Sequence, residues 1–153
     1  VVSLFAFRRH DEKVRSITNY VWARAIDSKM YSLIQFKHLG NTMLIPKQWR
    51  DTVRGILESC DASRIVVTVR AKRDWEATFP LAFEFEMYMV LAEALKDENL
   101  EGKRVVGMTP PGEVYEFFFN HQDRKLYGKV NLLPNGKLVI IYSAHVPLKG
   151  DAL

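Results

Sequence analysis

The chain has 153 residues, 48% hydrophobic and 26% charged, with a net charge of +4. That composition excludes a disordered or fibrous protein and is enough for one cored domain, or a small domain with an extension. The single cysteine, Cys60, excludes an internal disulfide and fits a reducing compartment.

The opening VVSLFAF is too short to span a bilayer and lacks a signal-peptide layout, so no membrane attachment is expected. Charge is unevenly spread. Residues 1–75 carry 14 Lys or Arg against 7 acids, residues 76–100 carry 1 against 6, and residues 101–153 carry 7 against 5. A basic first half suits a polyanionic partner such as RNA or DNA, and equally suits ordinary solvated helix faces.

The stretch RRHDEKVRSITNYVWARAIDSKMYSL places Val14, Ile17, Val21 and Ala25 at helical spacing, with Asp11 to cap it and HLGN to end it. PKQWRDTVRGILESC reads as a second helix with Trp49, Val53, Ile56 and Leu57 on its apolar stripe. SRIVVTVRA is β-branched and predicts a strand from Arg64 to Arg70. FPLAFEFEMYMVLAEALKDENLEG fits both periods. Pro80 at its start, strong helix formers and Gly102 at its end favour a helix over 80–98.

From Lys103 onward, KRVVGM, EVYEFFFN, RKLYGKVNLL and KLVIIYSAH alternate with the turn signals TPPG, NHQD and LPNGK. The fold class expected is α+β: N-terminal helices, then a four-stranded antiparallel sheet packed on a helix. The organisation expected is a basic, mainly helical region over 1–75 and a helix-plus-sheet core over 76–153, or one continuous domain.

Metal chemistry has little support: four scattered His and one Cys offer no ligand spacing. GMTPPGE lacks the backbone N–H groups of a phosphate loop. Cys60 sits between Glu58 and Asp61, which disfavour a thiolate. The last hairpin is richer. A two-residue Asn135-Gly136 loop sets Pro134 opposite Lys137. Leu126, Gly128, Val130 and Leu132 then share a core face with Val139, Ile141, Ser143 and His145. Tyr127, Lys129 and Asn131 share the other with Ile140, Tyr142 and Ala144. Aromatic rings beside a lysine on an open sheet face suit base stacking and phosphate contact, or an ordinary solvent face with Tyr–Lys pairs. Pro147 ends the strand, so Ser143, His145 and Lys149 crowd its exit.

The words GKRVVGMTPPGEVYEFFF, RKLYGKVNLL and IIYSAHVPLKGD, over residues 78–153, resemble the barnase/EndoU/colicin/RelE group of small metal-independent toxin ribonucleases. The resemblance implies an endoribonuclease that cleaves RNA by attack of a ribose 2′-hydroxyl on the adjacent phosphate, with no cofactor and no metal. It implies His145 as base or acid, Lys149 or Lys129 as phosphate clamp, and Ser143 as a hydroxyl on phosphate oxygens. Tyr127, Tyr142 and Asn131 would contact RNA, with Arg124 a further clamp. A cognate immunity or antitoxin protein follows as partner, and a cytoplasmic location, the chain's own or a target cell's. Two other readings stand beside it: a non-catalytic nucleic-acid-binding domain that uses the same basic helices and aromatic sheet face, and a protein-interaction module in which Phe117, Phe118 and Phe119 form a buried contact. The triplet Phe117-Phe118-Phe119 reads most simply as core on both sides of one strand.

Overall fold

The computed structural model describes residues 42–153; the expected helix over 8–33 and the HLGN stop lie outside them. The described residues form an α+β unit of three helices and one six-stranded sheet. In chain order these are β1 (Met43–Leu44), α1 (Lys47–Glu58), β2 (Ile65–Val67), α2 (Val69–Thr78), α3 (Glu84–Ala94), β3 (Glu101–Val105), β4 (Glu113–His121), β5 (Arg124–Leu132) and β6 (Val139–His145). The expected antiparallel meander is β3-β4-β5-β6. It is extended at one edge by β1, antiparallel to β3, and at the other by β2, parallel to β6, so the sheet is mixed and larger than the sequence indicated. Among the described residues no helix is long and apolar enough to cross a membrane.

One sheet face carries Tyr115, Phe117, Phe119, Leu126, Val130, Val139, Ile141 and Ala144. Against it pack Trp49, Val53, Ile56 and Leu57 of α1, Ala71 and Trp75 of α2, and Met87, Leu91 and Ala92 of α3. The core thus joins residues from both sides of position 75. Phe118 alone of the triplet turns to the opposite face, where its ring lies 5.8 Å from that of Tyr127. α1 is tied to the sheet by the Trp49 indole N–H, which donates to the Glu113 carbonyl at 2.9 Å.

Three expectations are corrected. The strand predicted over Arg64–Arg70 stops at Val67, because the Thr68 hydroxyl accepts from the Ala71 N–H at 3.2 Å and caps α2. The helix predicted over 80–98 spans only Glu84–Ala94. Its start is delayed because Pro80 sits in a turn closed by the Ala82 N–H on the Phe79 carbonyl, and Glu86 then reaches back to the Phe83 N–H at 2.6 Å. Its end comes early because the Asp97 carboxylate takes the Asn99 N–H at 2.9 Å in a local turn. Third, the last hairpin closes by the Gly136 N–H on the Leu133 carbonyl, so Pro134 and Asn135 form the turn's centre and Gly136, with φ +64°, follows it.

α2 and α3 meet through Glu84, which accepts from the Tyr88 hydroxyl at 2.5 Å and pairs with Lys72 at 3.1 Å. The Tyr88 hydrogen bond, then Lys72, hold the Glu84 carboxyl below its ordinary value of 4.5. A lowered folded-state pKa stabilises the fold above the unfolded value and loses that stabilisation as pH falls through the folded one. Glu84→Gln should therefore melt below the parent at pH 7, and the gap should close as the pH is taken through and below 4.5. Thermal melts across pH check this; a gap that stays constant would show that the carboxylate charge contributes nothing.

Candidate functional site

The site begins with an irregularity in β6. Near the turn, Leu132, Asn131 and Val130 pair with Val139, Ile140 and Ile141, the pattern the sequence indicated. Beyond that point Lys129 pairs with Ser143, Gly128 with Ala144 and Tyr127 with His145. Tyr142 is the extra residue of a β-bulge. A one-residue slip moves side chains across the sheet. Ser143 and His145, expected on the core face, accordingly lie on the Tyr127–Lys129 face, and Ala144 joins the core instead.

β2 leaves the sheet at the same place. The Thr68 N–H donates to the Ile141 carbonyl at 3.1 Å, and α2 starts there with its N-terminal end beside the bulge. The result is a cleft of about 430 Å³ lined by Thr68, Arg70, Met108, Tyr127, Lys129, Tyr142, Ser143 and Asp151. Asp151 arrives from the tail through a turn in which its carboxylate accepts from the Leu148 N–H at 2.6 Å.

A polar row crosses four strands and ends in the cleft. Lys103, Glu116, Lys129 and Ser143 are direct cross-strand neighbours. Glu116 is buried between Lys103 at 3.6 Å and Lys129 at 3.7 Å, and accepts from the Tyr127 hydroxyl at 2.7 Å. Burial first, and then the Glu116 carboxylate, push the Tyr127 hydroxyl upward from its ordinary value, so it remains a donor at neutral pH. The Tyr142 hydroxyl is enclosed and has no hydrogen-bond partner among the described residues.

Of the eight residues singled out from sequence, Tyr127, Lys129, Tyr142 and Ser143 meet in the cleft. The other four do not line it. His145 is only 3% exposed: its Nδ1 lies 2.8 Å from the Val146 carbonyl and 3.9 Å from the Asp151 carboxylate, while Nε2 is enclosed without a partner among the described residues. An imidazole so placed faces the Asp151 carboxylate and the Tyr127 ring, 5.6 Å between centroids. Lys149 is exposed on the tail turn. Arg124 opens β5, donates to the Thr78 carbonyl at 3.2 Å and lines a separate groove with residues 78–82.

Asn131 is fully buried and donates to the Pro110 carbonyl at 3.1 Å, so it pins the 106–112 loop instead of facing solvent. That loop passes so close that a Cβ on Gly112 would fall 2.0 Å from the Asn131 Oδ1 and 2.6 Å from the Leu132 carbonyl oxygen. Only glycine lets Met108 form the cleft's far wall in this way.

Thr68, Arg70, Met108, Glu116 and Asp151 escaped the sequence reading. Arg70 and Thr68 lie in a segment whose β-branched run predicts a strand. The signals for a helix were the Thr68 cap and the i,i+4 pairs Ala71/Trp75 and Arg70/Asp74. Among the described residues no three His, Cys, Asp or Glu side chains gather as metal ligands do. Comparison with protein-family models, with curated proteins and with solved structures found no match.

Proposed function

We propose that the chain binds single-stranded RNA through the sheet-face cleft, with Arg70 and Lys129 on phosphate and the Tyr142 and Tyr127 rings beside base or ribose. The bulge at Tyr142 carries this reading, because it gathers two cations, two aromatic residues and the Ser143 and Thr68 hydroxyls around one cavity. The guanidinium fork of Arg70 matches phosphate oxygens, and the N-terminal end of α2 adds positive potential beside it. The net +7 of residues 1–75 draws a polyanion toward the chain over longer distances.

A second reading, endoribonuclease, is favoured by Asp151, a carboxylate in the same cleft as Lys129. In that reaction Asp151 takes the proton of a ribose 2′-hydroxyl, and the 2′-oxygen bonds to phosphorus. The bond from phosphorus to the 5′-oxygen breaks, and that oxygen takes a proton from the Lys129 ammonium. The products are a 2′,3′-cyclic phosphate and a 5′-hydroxyl. His145 then positions Asp151 from behind and is not itself in contact with RNA. The four antiparallel strands ending at Ser143 and His145 are also the features on which the resemblance to toxin ribonucleases rests, and an immunity partner belongs to this reading alone.

Incubating the full chain with RNA in EDTA, beside Asp151→Asn and His145→Ala, separates the two. Binding that weakens linearly with the logarithm of salt, without cleavage, supports the first. Cyclic-phosphate ends that vanish in Asp151→Asn support the second. Neither binding nor cleavage contradicts both.

A further inference from the structure

The polar row that ends in the cleft begins outside it. Lys129 and Ser143 line the cleft, but Lys103, at the far end of the row on β3, does not. With strands about 4.8 Å apart, the Lys103 and Lys129 backbones lie about 10 Å from each other along the row. The Lys103 side chain is 44% exposed, so its ammonium remains open to solvent although Glu116 lies 3.6 Å away. A second row runs beside the first. Residues two apart in a strand share a face, so Phe118 follows Glu116 on β4 as Tyr127 precedes Lys129 on β5. Phe118 and Tyr127 are direct cross-strand neighbours, with ring centroids 5.8 Å apart. Tyr127 lines the cleft; Phe118 lies outside it and is half-buried. The exposed Lys125 holds its Nζ 4.1 Å from the Phe118 ring centroid, so a face of that ring is reachable by a group from solvent. The pairing of a cation with an aromatic ring that the cleft contains in Lys129 and Tyr127 thus recurs outside it in Lys103, Lys125 and Phe118.

Three carboxylates bear on these rows. Glu116 is buried and is already met by two ammonium groups, Lys103 and Lys129, and by the Tyr127 hydroxyl. Asp151 lies in the cleft itself. Glu101 is exposed at the start of β3, two residues before Lys103 on the same face, and repels a phosphate beyond Phe118. The favourable surface therefore extends past the cleft as far as Lys103 and Phe118 and ends at Glu101. We propose that Phe118, Lys103 and Lys125 form a second nucleotide subsite, so that one RNA strand crosses the sheet from α2 toward β3. The next base stacks on the Phe118 ring and displaces the Lys125 ammonium onto a neighbouring phosphate, while Lys103 neutralises the phosphate between the two subsites. This inference rests on the cleft being an RNA site and adds the direction in which the strand leaves it.

The test titrates the full chain with a ribonucleoside monophosphate and with a single-stranded tetraribonucleotide. The tetramer should bind about tenfold more tightly or better. Phe118→Leu should weaken the tetramer by about fivefold or more and leave the monophosphate affinity at the parent value, with circular dichroism unchanged. Lys103→Gln and Lys125→Gln should each make the tetramer's slope of log affinity against log salt shallower by about 0.7 and leave the monophosphate's slope as it is. Arg70→Gln should weaken both ligands. A tetramer that binds no more tightly than the monophosphate would overturn the subsite and leave the cleft reading in place. So would losses in Phe118→Leu, Lys103→Gln and Lys125→Gln that are equal for the two ligands. Failure of both ligands to bind the parent chain would overturn the cleft reading and the subsite with it.

Discussion

Arg70→Gln and Lys129→Met combined should weaken binding of single-stranded RNA by about 100-fold at moderate salt, since each charge-assisted hydrogen bond to phosphate is worth roughly tenfold or more. The slope of log affinity against log salt should become shallower by about 1.4, or about 0.7 for each phosphate of a single strand that is no longer neutralised. The single variants should each show about half of both effects, because the two cations enter the cleft from different elements, α2 and β5. Lys149→Met and Arg124→Gln provide the contrast. Both remove an exposed cation of equal charge, and both residues lie outside the cleft. If those two variants cost as much as Arg70→Gln and Lys129→Met, RNA is responding to overall charge and not to the cleft. Lys129 also offsets the buried Glu116, so the Met variant should lose some stability, which Lys103 limits by remaining within 3.6 Å of that carboxylate.

The second large effect is on stability. Arg50 is 6% exposed and lies where α1, the end of α3 and the entry from β1 converge. Its Nε donates to the Ile45 carbonyl at 3.1 Å, and its Nη1 donates to the Leu95 and Asp97 carbonyls at 3.2 and 2.8 Å. Those last two acceptors lie at the negative end of the α3 dipole, where a cation is favoured and the helix leaves carbonyls without internal partners. Arg50→Met keeps much of the volume and removes three hydrogen bonds in a buried junction, with the Leu100 N–H still on the Asp97 carbonyl. It should cost about 3 kcal/mol, which for a unit of this size lowers the melting temperature by roughly 10 °C. Arg50→Lys should recover only part of this, because a point ammonium does not span acceptors that the guanidinium fork reaches together. A melt of Arg50→Met superimposing on the parent would contradict this account of the junction.

How far these features were readable from sequence differs by element. The strands of the last 50 residues stand out because Phe117 and Phe119, Leu126 and Val130, and Val139 and Ile141 repeat at the sheet period between strong turn residues. Pairing near the hairpin turn was readable for the same reason. The bulge was not. An extra residue in a strand leaves no mark when its neighbours, Ile141, Tyr142 and Ser143, are all compatible with either face. One unseen residue therefore reversed the faces of Ser143 and His145. α2 was hidden by the β-branched run Ile65-Val66-Val67-Thr68-Val69, whose last two residues cap and begin a helix because tertiary packing of Ala71 and Trp75 outweighs local propensity. Asn131 reads as a polar surface residue by type alone; its burial depends on Gly112, distant in sequence, passing within van der Waals reach.

The cleft's role is tested most directly by titrating a short single-stranded oligoribonucleotide into isotopically labelled full-length chain and following backbone amide shifts. The account predicts that shifts cluster at Thr68, Arg70, Lys129, Tyr142, Ser143 and Asp151, with α3 silent. Shifts confined to other surfaces, with those six amides unmoved at saturation, would contradict it.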